Sequence, residues 1–126
     1  MSDTHQECLF CKIISGHVPS SKVYEDELVF AFKDIHPQAP THILVVPKAH
    51  LAKLSDATPA HEAALGRMLK VSGEIAAANG SPNGYRSVIN TGEVGRQDVY
   101  HVHMHILGGP EKLRGPMLGE RNKPTL

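Results

Sequence analysis

His101, His103 and His105 stand at alternate positions in the segment His101-Val102-His103-Met104-His105-Ile106-Leu107. Successive side chains of an extended strand point to opposite faces. The pattern predicts three imidazoles in a row on one face, with Val102, Met104 and Ile106 on the other. The apolar side is expected to cover a core and the histidine side to meet something polar. Neutral imidazole can act as nucleophile, acid or base near pH 7, because its ordinary pKa is about 6.5. Residues two apart in a strand lie about 6.7 Å apart, which sets His101 roughly 13 Å from His105. One metal ion, bonded to nitrogen at about 2 Å, does not span that row, although adjacent pairs could share one. An elongated anionic ligand suits the spacing. A strand that merely carries polar residues to solvent would account for one histidine, but not for three in register over an apolar reverse face.

A second constellation is Cys8-x-x-Cys11. Two thiolates make half of a zinc tetrahedron and need two more ligands to close it. The alternatives are a redox dithiol, which usually sits beside a strand-helix-strand pattern missing here, or two buried free thiols.

These groups must be positioned by a small fold. A chain of 126 residues suits one domain, 1–126, with 1–7 and about 113–126 as loose tails. Thirteen basic residues balance thirteen acidic ones. That leaves no electrostatic footprint for nucleic acid and no basic patch for a membrane surface. No apolar run approaches the ~20 residues that span a bilayer. Met1 to Glu7 is polar and lacks the layout of a signal peptide, so the chain reads as cytoplasmic.

Lys22 to Glu25 and Leu28 to Lys33 read as a hairpin around Asp26-Glu27, and His42 to Val46 as a buried strand stopped by Pro47. The loop between them holds Pro37 and Pro40. Thr58 and Pro59 signal the start of a long helix whose stripe includes Leu65, Met68, Leu69 and Ile75 and which ends at Asn79-Gly80. Tyr85 to Asn90 reads as a strand, and Thr91 to Gln97 as a flexible loop before the histidine segment. Cys8 to Ser15 suits a small helix or turn. About five short strands, one long helix and no βαβ alternation predict an α+β fold, an antiparallel sheet covered by helix on one face. His5, His17 and His61 are expected at the surface, His36 has no derivable role, and Tyr100 and Met104 are expected to pack.

The segment Gln97-Asp98-Val99-Tyr100-His101-Val102-His103-Met104-His105-Ile106-Leu107-Gly108-Gly109 closely resembles the signature of the histidine triad (HIT) family. Asp34-Ile35-His36-Pro37-Gln38-Ala39-Pro40-Thr41-His42 resembles that family's nucleotide-binding loop, and Cys8-Leu9-Phe10-Cys11-Lys12-Ile13-Ile14 the start of its zinc-containing members. The likeness covers nearly the whole chain in order and is closest to the Hint-like phosphoramidase branch. It implies the HIT-like fold, with the short N-terminal helix on the sheet, and a purine nucleotide hydrolase acting at the α-phosphate. His103 matches the nucleophile that forms a nucleotidyl-histidine intermediate. His105, Gln97 and Asn90 match phosphate contacts, Asp34 the ribose-binding carboxylate, and His42 a further active-site histidine. Ile35, Phe10 and Phe32 are implied around the base. His50 and His101 would complete a structural zinc site with Cys8 and Cys11. No catalytic metal is required, and members resemble homodimers.

Asp98 departs from the pattern, standing where the phosphoramidase branch commonly has Ser or Thr; like Gln97, it falls in the nucleotide-binding stretch. A hydroxyl can donate to a leaving group, whereas an ionised carboxylate cannot and repels phosphate. Three other readings compete with the phosphoramidase. They are a dinucleoside polyphosphate hydrolase, a nucleotide-binding regulator with little turnover, and a metal hydrolase using His103 and His105 as ligands.

Overall fold

A computed structural model describes residues 7–115. Helix α1 spans Leu9–Ile14. Strands β1 (Lys22–Glu25) and β2 (Val29–Lys33) form the expected hairpin, and β3 spans Thr41–Pro47. Helix α2 covers Glu62–Ala78, followed by β4 (Arg86–Ile89) and β5 (Met104–Gly108). All pairings are antiparallel in the order β1-β2-β3-β5-β4. The fold class is α+β, as the element count predicts.

Alternation along the central strands builds two cores. Val29, Ala31, Ile43, Val45, Met104 and Ile106 point to one face, where Met68, Val71 and Ile75 of α2 pack on them with Val102. Phe30, Phe32, Leu44 and Val46 point to the other, where Phe10 and Ile13 of α1 meet them. The second face is therefore not open. A six-residue helix, far too short to be stable alone, covers part of it. His42 and His105 lie on this α1 side, His42 opposite Leu107 and His105 opposite Leu44.

Helix α2 starts through a cap that differs from the usual one. Thr58 Oγ1 accepts the Ala60 amide at 3.3 Å, and His61 Nδ1 accepts the Thr58 amide at 2.9 Å. His61 takes the reciprocal place that Glu or Gln usually fills, so it is a cap rather than an idle surface ring. A 3-10 turn, Pro59–His61, then leads into α2.

The hairpin is fastened to α2 by Asp26. Its Oδ1 accepts the amides of Leu28 and Val29 at 2.8 and 3.0 Å. Its Oδ2 accepts the Tyr24 hydroxyl at 2.7 Å and the Arg67 guanidinium at 2.8 Å. Burial opposes ionisation, but these donors outweigh it and hold the carboxyl below its usual range. Asp26→Ala is expected to cost about 2 kcal/mol, because several donors lose a shared acceptor. A lower urea midpoint with unchanged slope checks this.

Candidate active site and metal centre

The histidine segment does not run as one strand. Strand β5 begins only at Met104, so His101 and His103 precede it. The Val102 amide donates to the Leu51 carbonyl at 2.8 Å instead of to a neighbouring strand. His101 turns into the protein interior, with no exposed surface, towards the two cysteines. The expected row of three thus divides. His101 joins one cluster, while the His103 and His105 rings stay together with centroids 5.2 Å apart.

Backbone partners decide which ring nitrogen carries the proton. His103 Nδ1 lies 2.8 Å from the His101 carbonyl oxygen. A carbonyl only accepts, so Nδ1 is the N–H and Nε2 of the neutral ring carries the lone pair. That Nε2 is 3.5 Å from Asp98 Oδ1. Phe10 stands edge-on to the His103 ring at 5.1 Å and restricts its rotation. His42 is set the other way. The Gln38 amide donates to its Nδ1 at 3.0 Å, so the proton sits on Nε2. That N–H faces His105 Nδ1 at 2.9 Å and Asp34 Oδ2 at 3.3 Å. His105 must accept at Nδ1 and therefore carries its own proton on Nε2. Two neighbouring imidazoles thus have opposite tautomers, one with a lone pair on Nε2 and one with an N–H there.

The charge states agree with this network. Burial pushes His105 down to about 4, helped by nearby His103 and His42. Burial also lowers His42, against the pull of Asp34. Both rings are neutral near pH 7. The unfolded chain protonates His105 near the ordinary value of 6.5, the folded chain only near 4. Between those values the unfolded state binds more protons, so stability present above 6.5 declines as pH falls through the interval to about 4. His105→Gln is expected to flatten this decline, which urea midpoints measured across the interval would show.

A cavity of about 290 Å³ lies where α1 meets the sheet. Its walls include Phe10, Ile13, Val18, Phe32, Ile35, Leu44 and Val99, and its polar rim Lys33, Asp34, His36, Asp98, His103 and His105. An apolar slot with a few convergent polar groups is the usual form of a small-molecule site. Phe10 and Phe32 are buried and meet edge to face at 5.5 Å, whereas Ile35 is exposed at the rim. His42 does not border the cavity but touches two residues that do, His105 and Asp34. Asn90 and Gln97 do not border it. Gln97 is engaged by main chain: its Nε2 donates to the Ala52 and Val99 carbonyls, and its Oε1 accepts the Gly92 amide. It ties down the loop that reads as flexible in sequence. A larger cavity, about 700 Å³, bordered by Tyr85, Arg86 and Gly108 to Leu113, contains none of the histidines.

Lys33, His36 and Ser20 line the slot without a role in the sequence reading. Lys33 ends the alternating run of β2, and His36 follows Asp34 in a turn whose amide Asp34 Oδ1 accepts at 2.8 Å. The Gln38 amide and the His101 carbonyl set the tautomers, and no side-chain pattern could reveal them.

Cys8, Cys11, His50 and His101 place four ligand atoms within 4.8 Å of one another. Cys11 Sγ lies 3.4 Å from His50 Nδ1 and 3.5 Å from His101 Nδ1, and Cys8 Sγ 3.4 Å from His101 Nδ1. A zinc tetrahedron with bonds of about 2.3 Å to sulfur and 2.0–2.1 Å to nitrogen has S···N edges of about 3.5 Å. The separations are therefore those of ligands around one ion. His101 Nε2 donates to the Pro47 carbonyl at 2.8 Å, which fixes the lone pair on Nδ1, facing the sulfurs. Burial and the adjacent Cys8 thiol push Cys11 up to about 12, so a cation is what would ionise the pair. The residues fit zinc.

A HIT domain family model matches residues 15–112. The purine nucleoside phosphoramidase of Escherichia coli K12 is 49% identical over 117 residues, covering 92% of this chain and 97% of that protein. A 14 kDa zinc-binding protein of Zea mays is 52% identical over 103 residues, 80% of each chain. The crystal structure of a HIT family hydrolase from Legionella pneumophila Philadelphia 1 superposes with a TM-score of 0.78 at 44% identity, covering 83% of this chain and 95% of that one. With the site's geometry and these likenesses in agreement, the chain belongs to the HIT family.

Proposed function

We propose that the chain is a histidine triad hydrolase that cleaves purine nucleoside phosphoramidates at the α-phosphate through a nucleotidyl-histidine intermediate. The observation that carries this reading is the pair of opposite tautomers at the polar end of an apolar slot. The base enters between Phe10, Phe32 and Ile35, and the Asp34 carboxylate accepts from the ribose hydroxyls. His105 donates Nε2–H to a phosphate oxygen, aimed where charge grows in the transition state. The His103 Nε2 lone pair attacks phosphorus, forming a P–N bond as the bond to the leaving amine breaks. The amine takes a proton from water at the rim. The His103 ring becomes cationic, and its Nδ1–H bond to the His101 carbonyl strengthens. Water then cleaves the P–N bond, releasing the nucleotide and restoring the neutral ring. Gln97 serves this site by holding its loop, and Asn90 contacts a phosphate oxygen.

The zinc is read as structural. Held by Cys8, Cys11, His50 and His101, it would supply a fixed cross-link between α1 and the segments around Pro47 and His101, and the reaction needs no catalytic metal. A cytoplasmic homodimer is the accompanying proposal. Steady-state comparison of an adenosine phosphoramidate with a diadenosine polyphosphate tests the reaction class. Faster turnover of the polyphosphate would overturn it.

Asp98 sets a testable modulation. Its carboxylate is 83% exposed in the side chain and reaches to 3.5 Å from the attacking nitrogen. A negative charge there opposes an incoming phosphate. Asp98→Ser is expected to raise kcat/KM for the phosphoramidate severalfold, about 1 kcal/mol after solvent screening. Unchanged or lower turnover would count against this role.

A further inference from the structure

The two cysteines of the chain sit one turn apart at the start of α1, Cys8 at its N-cap and Cys11 inside its first turn. Their sulfurs lie within 4.8 Å of each other, and the Cys11 amide donates to Cys8 Sγ at 3.4 Å. Positions one helical turn apart lie about 5–6 Å apart, inside the range of about 4.4–6.8 Å between Cα atoms that a disulfide spans. Rotation of two side chains therefore brings the sulfurs to bonding distance with the backbone in place. Both cysteines are half-buried, and Leu9 between them is 44% exposed, so small solutes reach this turn.

What the sulfurs hold together depends on their bonding. As ligands they join α1 to His50, 39 residues from Cys11, and to His101, 90 residues from it. A Cys8–Cys11 disulfide closes only the first turn of α1 and ties that turn to nothing distant. The helix has six residues, and with the disulfide in place Phe10 and Ile13 alone keep it on the sheet. The two uses also exclude each other, because the thiolate is the form that binds metal and a disulfide sulfur carries no such charge.

On the structural reading of the zinc, we propose that Cys8 and Cys11 are a peroxide-sensitive pair whose oxidation to an intramolecular disulfide expels the ion and loosens α1 over the slot. One thiolate attacks a peroxide oxygen, the O–O bond breaks, and a sulfenic acid and hydroxide form. The other thiolate attacks the sulfenic sulfur, closes the S–S bond and releases a second hydroxide. Each sulfur gives up one electron. The pair of electrons reduces one peroxide, which leaves as two waters after taking two protons from solvent. A dithiol reverses the bond by exchange, so in a reducing compartment the oxidised state is transient. Phe10 of α1 stands against the His103 ring at 5.1 Å, so on the nucleotide reading a loosened α1 also slows turnover.

The test treats full-length, zinc-loaded protein with hydrogen peroxide and follows released zinc with a chromogenic chelator, against an untreated control. Release is expected to be stoichiometric and to track a tryptic peptide, residues 1–12, that has lost two hydrogens. Amide exchange should quicken in α1, and turnover should fall at least about tenfold. A dithiol with added zinc should restore both. Methionine sulfoxide is not reduced by a dithiol, so recovery assigns the change to the cysteines. Zinc that stays bound under peroxide overturns the proposal. So does zinc lost while the thiols become sulfinic acids or disulfides between chains, or an oxidised, zinc-free protein whose α1 exchanges as slowly as before. Protein that takes up no zinc before treatment overturns the zinc reading as well, which separates the two failures.

Discussion

A His103→Asn variant is expected to lose phosphoramidate turnover by about a thousandfold or more while still binding the nucleotide product within a fewfold of wild type. The magnitude follows from removing a group that forms the covalent bond, as opposed to one that only steadies charge. The choice of asparagine follows from the geometry. His103 is buried and its Nδ1–H satisfies the His101 carbonyl at 2.8 Å. The asparagine amide can make the same donation, so the loop before β5 keeps its anchor, whereas alanine would leave a cavity and an orphaned carbonyl. What asparagine lacks is a lone pair at the Nε2 position. Incubation with a radiolabelled phosphoramidate and rapid acid quench should therefore trap labelled wild-type protein and no labelled variant. Retention of more than a tenth of the turnover, or an adduct that survives the exchange, would remove His103 from the attacking position. His105→Ala should behave differently. It deletes a donor, not the nucleophile, so turnover falls by about 10²–10³ and the adduct remains detectable.

Much of this arrangement is legible from residue types. The strands and the antiparallel sheet are foretold, and Asp34, Phe32 and His105 do border one cavity. The alternation reads as a sheet covered on one face, whereas Phe10 and Ile13 of α1 cover part of the other. Spacing misleads where the main chain is recruited from outside the sheet. The three histidines alternate as if in one strand, yet the Val102 amide goes to Leu51 and the ladder starts only at Met104, after the first two of them. Tautomers are invisible for a related reason. They depend on the Gln38 amide and on the Pro47 and His101 carbonyls, groups that every residue possesses. Gln97 shows the converse: a polar side chain beside the signature looks like a ligand contact, but three main-chain groups already engage it.

On the structural reading of the zinc proposed for Cys8, Cys11, His50 and His101, the rest of the site leans on this centre, and removal of the metal is expected to have the largest effect on stability. Helix α1 has six residues and no independent stability. Its hold on the sheet comes from Phe10 and Ile13 and from Cys8 and Cys11 at its start. His50 and His101 lie far along the chain, so a shared ion closes loops of roughly forty and ninety residues. Without it, two thiols and two imidazoles crowd together with nothing to ionise the cysteines. Extracting the metal, or replacing Cys11 with Ser, should lower Tm by about 10 °C or more, the shift expected for a loss of about 3 kcal/mol in a domain of this size. Amide exchange should quicken first in α1 and around His50 and His101, with α2 and β3 protected until global unfolding. Because Phe10 restricts the His103 ring and walls the slot, turnover should fall at least about tenfold in the same samples. Protein shown to be zinc-free that kept both its Tm and its exchange pattern would mean the four ligands pack adequately alone, and α1 would then owe its place to Phe10 and Ile13.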